Sequence, residues 1–524
     1  MTRTPSSAGR YDCVVIGGGH NGLVCAAYLA RSGRSVLLLE AGASVGGAAV
    51  TREFAPGFRV SACAHLLHLM PEPLLRDLKL TAHGLELAAE QLPTTALAEG
   101  EAPLRLDPRD PGALAVRSVR DAQAYAALDA RLAKLARALR TVLERAPPPL
   151  ASGAWADRLA WLSLGFGLRR LGRTDLRELL RIGAMCVQDL LDEQFETPLL
   201  KGALGFDAVL GANHGPRSPG SVLTLLYRRA AQGERALVQP RGGLGAVSEA
   251  LARAARAAGA EIRTGAAVER ILVSEDRACG VRLASGESIQ AGCVVSSADP
   301  KTTFLRLLGP EHLDTGFVRR IVHLRGRGLT AKLHLALDRL PAFSGVALSE
   351  LAGRLLYAPS LEYIERAFNH SKYAEVSAAP ILEITVPSVA DAALAPKGSH
   401  VLSVIVQYVP HTPAAGWSGE RERLIGRVVG LLERCAPGLA NSIRASELLT
   451  PADIEREFRM SGGHWHHAEL ALDQFFLVRP VPGIAQYRAP VGRLYLCGAG
   501  CHPGGGVMGI AGRNAARQVV REAA

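Results

Sequence analysis

Apolar and polar positions change their period several times along this chain, and each change marks an element. Residues 11–40 read YDCVVIGGGHNGLVCAAYLARSGRSVLLLE. Tyr11 to Ile16 is a short apolar run of the buried-strand type. A glycine cluster interrupts it, and Ala26, Ala27 and Ala30 then follow in a helical stretch that ends near Gly33. A second apolar run, Ser35 to Leu39, closes on Glu40. Farther on, Leu128, Leu132, Leu135, Leu139 and Val142 make one apolar helix face, stopped by Pro147, Pro148 and Pro149. Ala and Leu return at helical spacing after Gly245, with Gly259 as the stop and a strand beyond it. Residues 330–337, TAKLHLAL, alternate as a strand does, and so do ILEITVPSV and HVLSVIVQYV within 381–409. Near the end, the apolar run of RLYLCGAG leads into seven glycines between Gly498 and Gly512, and Val507–Val520 has a helical pattern.

A chain of 524 residues is too long for one hydrophobic core, so two or more domains are expected. The net charge of +11 comes from 60 basic and 49 acidic residues, and with seven lysines nearly all the positive charge is arginine. A basic surface suits anionic ligands, lipid headgroups or nucleic acid. No nucleic-acid motif and no basic stripe interleaved with aromatics is present, so nucleic acid is not an expected partner. The nine cysteines are odd in number and scattered, with neither a disulfide framework nor zinc spacing, which points to a reduced, cytoplasmic setting and no metal. The first ten residues are polar and too short for a secretory signal, and no apolar stretch is long enough to span a bilayer. The expectation is a soluble or peripheral protein. Residues 159–173, LAWLSLGFGLRRLGR, combine an apolar run with Arg169, Arg170 and Arg173. They fit a membrane-surface or tunnel-mouth helix, or an ordinary helix with a solvated basic end, which is the commoner arrangement.

The glycines Gly17, Gly19 and Gly22 sit between a strand and a helix, and Glu40 ends the next strand. That is the full dinucleotide-binding context. Glycines let the backbone approach a pyrophosphate, and a helix N-terminus offers free N–H groups to its charge. Glu40 is placed to accept hydrogen bonds from the adenosine ribose. These features alone leave FAD and NAD both open. The terminal glycines read as a floor under a flavin, where N–H donors meet developing negative charge, or as a flexible tail; the helical pattern of 507–520 opposes the tail.

Seven segments carry a resemblance: VVIGGGHNGLVCAAYLA, VGGAAVTREFAPGFRVS, QPRGGLGAVSEALARAARAAGAEI, VVSSADPKTTF, AKLHLALDRLP, GGHWHHAELALDQFFLVRP and LYLCGAGCHPGGGVMGIAGRNAA. Together they spread over nearly the whole chain and resemble the phytoene desaturase-like FAD-dependent oxidoreductases, in the branch named after a pyridine nucleotide-disulfide oxidoreductase domain. Dithiol chemistry is not expected despite that name, since only Cys63 follows the first segment where a cysteine pair is needed. The resemblance implies an α/β protein: a Rossmann-like FAD-binding domain of the amine oxidase/phytoene desaturase type, with an α+β substrate domain inserted discontinuously. The FAD domain would comprise 9–80, 235–305 and 485–524, and the substrate domain 81–234 and 306–484. It also implies FAD contacts from Gly17, Gly18, Gly19, His20, Asn21, Gly22, Glu40, Ala41, Gly46, Gly47 and Ala48. Val268 would meet the adenine, and Gly500, His502, Gly506, Val507 and Met508 the flavin end. Ala48 stands where many relatives have arginine, which leaves Arg52 and Arg513 as candidate cations for the pyrophosphate.

Two residues are candidates for chemistry. Lys332 resembles the lysine that holds a water against the flavin in amine-oxidase-like relatives; the alternative is a protective cation on a sheet edge. His467 matches a histidine of the branch motif and is expected over the flavin, with His464 and His466 facing solvent; their spacing suits no zinc site. His65, His68 and His214 read as loop or core histidines. The expected activity is hydride transfer from a substrate C–H to FAD, on an apolar, isoprenoid- or lipid-like small molecule. The alternatives are an amine-oxidase-type oxidase and an FAD-binding protein that acts through protein contacts.

Overall fold

The computed structural model describes residues 10–110, 112–149, 155–233 and 237–523. The expected boundaries at 9, 234, 235 and 524, and the polar start of the chain, lie outside these residues.

The buried apolar runs build a seven-stranded sheet in the order Val268–Ser274, Arg277–Leu283, Ser288–Ser296, Arg10–Ile16, Val36–Leu39, Glu261–Arg263, with Leu494–Leu496 added against Ser288–Ser296. Arg10–Ile16 lies parallel to both of its neighbours, with Val15 opposite Val295 and Leu38. Cys13 to Ile16 and Val36 to Leu39 are buried at every position, as strands covered on both faces must be. Ser288–Ser296 is the longest strand: its first residues pair with Arg277–Leu283 and its last three with Leu494–Leu496. Residues nearly 500 positions apart in sequence therefore end up two strands apart.

Helix packing repeats that closure. The first helix, His20–Arg31, packs on the terminal helix Ile510–Ala523 and on Gly245–Ala257. A Cβ at Gly512 would stand 2.1 Å from the Asn21 carbonyl oxygen, so only glycine allows the two helices to approach this closely. The Ala-rich patterns of these helices are what permit the contact.

The second sheet also has seven strands, in the order Ile443–Leu449, Thr330–Leu337, His400–Gln407, Ile381–Thr385, Arg354–Tyr357, Thr94–Leu97, Leu104–Leu106. Its pairings are antiparallel except that of Arg354–Tyr357 with Thr94–Leu97. Thr330–Leu337 is not an edge strand, and all eight of its residues are buried. Its alternation separates two covered faces, because residues 62–65 lie over the polar one: His334 Nε2 is 3.2 Å from the Ala62 carbonyl and Lys332 Nζ is 2.6 Å from His65 Nδ1. Helix Val119–Leu143 buries Leu128, Leu132 and Leu135 and packs on helix Ser221–Gln232. Among the described residues no helix is long and apolar enough to cross a membrane.

Candidate active site

The strand Arg10–Ile16 delivers its glycines to the edge of a cleft of about 420 Å³. Gly18 N–H donates to Glu40 Oε2 at 2.6 Å and Gly42 N–H donates to Oε1 at 2.6 Å, so the carboxylate is fixed with lone pairs to spare. Gly46 N–H donates to the Gly18 carbonyl at 2.9 Å, which ties the second glycine pair to the first. Of the residues expected here, Gly17, Gly19, His20, Asn21, Glu40, Ala41, Gly46, Gly47, Ala48 and Val268 line the cleft. Gly18 lies against Glu40 below it. Gly22 lets the helix meet the strand, since a Cβ there would be 2.0 Å from the Gly17 carbonyl oxygen.

The end of the chain closes the opposite side. Cys497 N–H donates to the Ser296 carbonyl at 2.8 Å, and Ala499 and His467 line the cleft with Met460 and Trp465. Gly500 packs against His467, whose Cβ would lie 3.5 Å from a Cβ at that glycine. Gly500, His502, Gly506, Val507 and Met508 do not line this cleft. His502 turns away, with Nε2 3.0 Å from the Val142 carbonyl, and acts as a brace between the glycine loop and helix Val119–Leu143. Met508 packs in a buried cluster with Tyr227, whose hydroxyl donates to the Gly505 carbonyl at 2.6 Å.

His464 and His466 are not solvent-facing. His464 is buried, and His466 is partly covered beneath Gly505, where a Cβ would be 2.3 Å from its Nδ1. The reason is Arg479, fully buried and unnoticed in the sequence. Its guanidinium donates six hydrogen bonds, to the carbonyls of His466, Ala468, Glu469, Gln474, Ala499 and Cys501. Bonds to a charged donor are worth about 1.5–3 kcal/mol each. Arg479 thus fastens the histidine loop to the terminal glycine loop and draws all three histidines inward. Burial lowers the Arg479 pKa to about 10. Burial also lowers the pKa of His20, to about 4, with His467 adding to the shift and the Gly506 backbone opposing it. His467 is lowered by burial too, so both rings facing the cleft are neutral at pH 7.

Neither arginine expected at the pyrophosphate lines the cleft. Arg52 pairs with Glu447 at 2.9 Å and Glu457 at 3.1 Å, and Arg513 donates to the Glu144 carbonyl at 2.7 Å. Arg459 lines the cleft instead and makes no ion pair among the described residues. It sits just outside the quoted segment that begins at Gly462, and nothing in the local pattern singles it out.

Lys332 lies behind the cleft wall. Cys63 and Leu449 beside it belong to one apolar cluster with Met460, against which Ala48, Val50 and Phe458 pack. Its ammonium reaches His65 Nδ1, His65 Nε2 donates to Glu383 Oε1 at 2.7 Å, and Glu383 and Asp207 both hold Arg354. Burial lowers Lys332 to about 7, against the pull of Glu383 and Cys63. Burial and the Lys332 charge lower His65 to about 4, so its Nδ1 is free to accept. Burial alone would raise Glu383, but Arg354 and His65 outweigh it and hold the carboxyl well below its usual range. The lone acid in ILEIT was the available signal for this network. His68 is half-buried, with both ring nitrogens covered and unpartnered, and His214 Nε2 meets the Ala208 carbonyl at 2.9 Å.

These residues fit FAD. A Cβ at Gly19 would meet nothing within 4 Å, an open cradle beside the helix N-terminus. His20 Nε2, Asn21 Oδ1 and His467 Nδ1 are buried without partners around the cleft. Glu40 and Val268 from the first sheet's domain and His467 with Ala499 from the later loops line the same cleft. Because that cradle is empty of protein atoms, Gly19→Val is expected to fold normally and purify colourless, without the absorbance of bound flavin. A yellow Gly19→Val protein would remove the cradle from the cofactor site.

The family profile described as flavin containing amine oxidoreductase matches residues 22–520. The chain is 39% identical to the pyridine nucleotide-disulfide oxidoreductase domain-containing protein 2 of Mus musculus, over 98% of this chain and 94% of that one. It is 30% identical to the lycopene-forming phytoene desaturase of Pseudescherichia vulneris, over 66% of this chain and 70% of that one. Among solved structures, a putrescine oxidase redesigned in its cofactor binding shares the fold, with TM-score 0.63, 16% identity, and 98% and 99% of the two chains covered. The chain belongs to the flavin containing amine oxidoreductase family and is an FAD-dependent oxidoreductase.

Proposed function

We propose that this oxidoreductase is a dehydrogenase or desaturase of an apolar, isoprenoid- or lipid-like substrate. The observation that carries the reading is the state of the acids in the cleft. Glu40 and Glu457 are the carboxylates that line it; Glu40 holds the N–H groups of Gly18 and Gly42, and Glu457 is paired with Arg52. With Glu40 committed to the adenosine ribose as well, a cationic substrate finds no free carboxylate among the described residues that line the cleft, and His20 and His467 are neutral. Phe458, Met460, Trp465 and Val50 offer apolar surface instead. The likeness to a phytoene desaturase supports the same reading.

Bound FAD would supply the two-electron acceptor for oxidation of a substrate C–H bond. The chain's own contribution is position and exclusion of water. Gly17–Gly22 and Gly46–Gly47 would hold the phosphates and Glu40 the ribose, and the Arg479-anchored loops keep His467 and Ala499 in the cleft wall. Lys332 holds a proton that leaves near neutral pH, one layer behind the wall, and in this reading controls proton balance when the reduced cofactor is reoxidised. The lysine also favours a second reading, an amine-oxidase-type oxidase, because of its resemblance to the lysine of those enzymes.

Anaerobic mixing with a panel of unfunctionalised alkenes and terpenoids is expected to bleach the flavin absorbance, and a panel of primary and secondary amines is expected to leave it unchanged. Bleaching by amines alone would establish the second reading. Independently of substrate, the photoreduced protein mixed with oxygen is expected to reoxidise faster as pH rises through about 7, where Lys332 loses its proton. Lys332→Met is expected to keep its FAD, to slow reoxidation at pH 8 by on the order of 100-fold and to flatten that profile. An unchanged profile would make Lys332 purely structural.

A further inference from the structure

We propose that helix Trp155–Arg169 docks the protein on an anionic lipid bilayer surface. Trp155, Leu159, Leu162 and Phe166 are 73%, 59%, 66% and 62% exposed. Their spacing of four, three and four residues places them in one narrow stripe along the helix. A surface helix of a soluble domain normally turns such a stripe into its own core. This helix turns a different set inward: Leu168, and Leu171 just beyond the helix end, pack on the core of the second sheet's domain, and Trp161 Nε1 donates to the Pro149 carbonyl at 3.1 Å. The exposed stripe is therefore surplus to folding.

The charges around it choose the occupant. Arg158 stands 5.5 Å from the centre of the Trp155 ring and Arg170 5.9 Å from that of Phe166, so each aliphatic stem runs beside the stripe and each guanidinium flanks it. Arg169, Arg173 and Arg177 are exposed and make no ion pair among the described residues, whereas nearby Arg181 and Lys134 are neutralised by Glu178 and Asp175. Leu180, 73% exposed, continues the apolar surface on the next helix, Gly172–Ile182, beside Arg173 and Arg177. An apolar ridge bordered by free arginines matches the acyl boundary and phosphate layer of an anionic leaflet. A second copy of the chain would set the same arginines against one another, which opposes self-association through this face.

The surface is tied to the cofactor site through a short connection. The helix follows residues 142–149, where the Val142 carbonyl meets His502 Nε2 at 3.0 Å and the Glu144 carbonyl accepts from Arg513 at 2.7 Å and Asn514 at 3.3 Å. A docked protein would thus hold the brace of its terminal glycine loop close to the bilayer. Docking does not depend on which substrate is oxidised.

The test is vesicle flotation with the purified flavoprotein, using phosphatidylcholine vesicles with and without phosphatidylglycerol. The wild type is expected to float with the mixed vesicles, to bind them at least about tenfold more tightly than pure phosphatidylcholine, and to lose binding as salt rises. The doubly substituted Leu162→Glu/Phe166→Glu protein alters exposed positions only; it is expected to keep its flavin absorbance and monomer mass and to lose flotation by at least about tenfold. Arg169→Glu/Arg173→Glu is expected to abolish the preference for phosphatidylglycerol. A wild type that stays at the bottom with both vesicles would overturn the proposal. So would a stripe variant that floats like the wild type, or one whose only change is the loss of a dimer or of an acidic protein partner.

Discussion

The contact on which everything else depends is the backbone approach of the two ends of the chain. Leu494–Leu496 completes a sheet begun by Arg10–Ile16, and Gly512 lets the terminal helix touch the carbonyl of Asn21. A methyl group at that point would stand 2.1 Å from a backbone oxygen, well inside van der Waals contact distance. The cost of ordering a distant chain end is offset by burial of Ala511, Ala515, Ala516 and Val519 in the core of the first sheet. Only with that contact made do Gly19 and Ala499 face the same cleft.

A second consequence is electrostatic. The histidines around the ring end lie in surroundings that favour their neutral forms, and the one buried cation there, Arg479, is satisfied by carbonyls alone. Its positive charge therefore remains uncompensated by any carboxylate bonded to it, and it acts on His467 in the cleft wall. The polar network of Lys332, His65, Glu383, Arg354 and Asp207 lies apart from this, behind the apolar wall, and its charges are paired internally. Separation of a paired network from an unpaired cation gives the cleft a polarity that residue composition alone would not suggest.

The first strand, the glycine loop, Glu40 and the terminal helix were legible in the sequence, because each rests on local pattern: an apolar run, a glycine spacing, a helical period. The strand at 330–337 was legible as a strand but not in its surroundings, since alternation reports two chemically different faces and says nothing of whether the polar one is covered. Its cover comes from residues 62–65, about 270 positions away. The histidines at 464 and 466 were misplaced for the same reason. Their burial follows from Arg479, a residue type that is rarely buried, and its six acceptors are carbonyls, which no side-chain pattern can reveal. His502, expected at the flavin end, braces the glycine loop toward Val142, a partner again set by tertiary packing.

Hydrogen–deuterium exchange of the protein with and without FAD tests the joint site most directly. A joint site requires FAD to slow exchange in residues 17–22 and 499–508 together, at the same cofactor concentration, since Gly17, Gly19 and Ala499 line one cleft and Arg479 fastens the terminal glycine loop at Ala499 and Cys501. Protection confined to 17–22, with 499–508 exchanging at the same rate in both states, would contradict it.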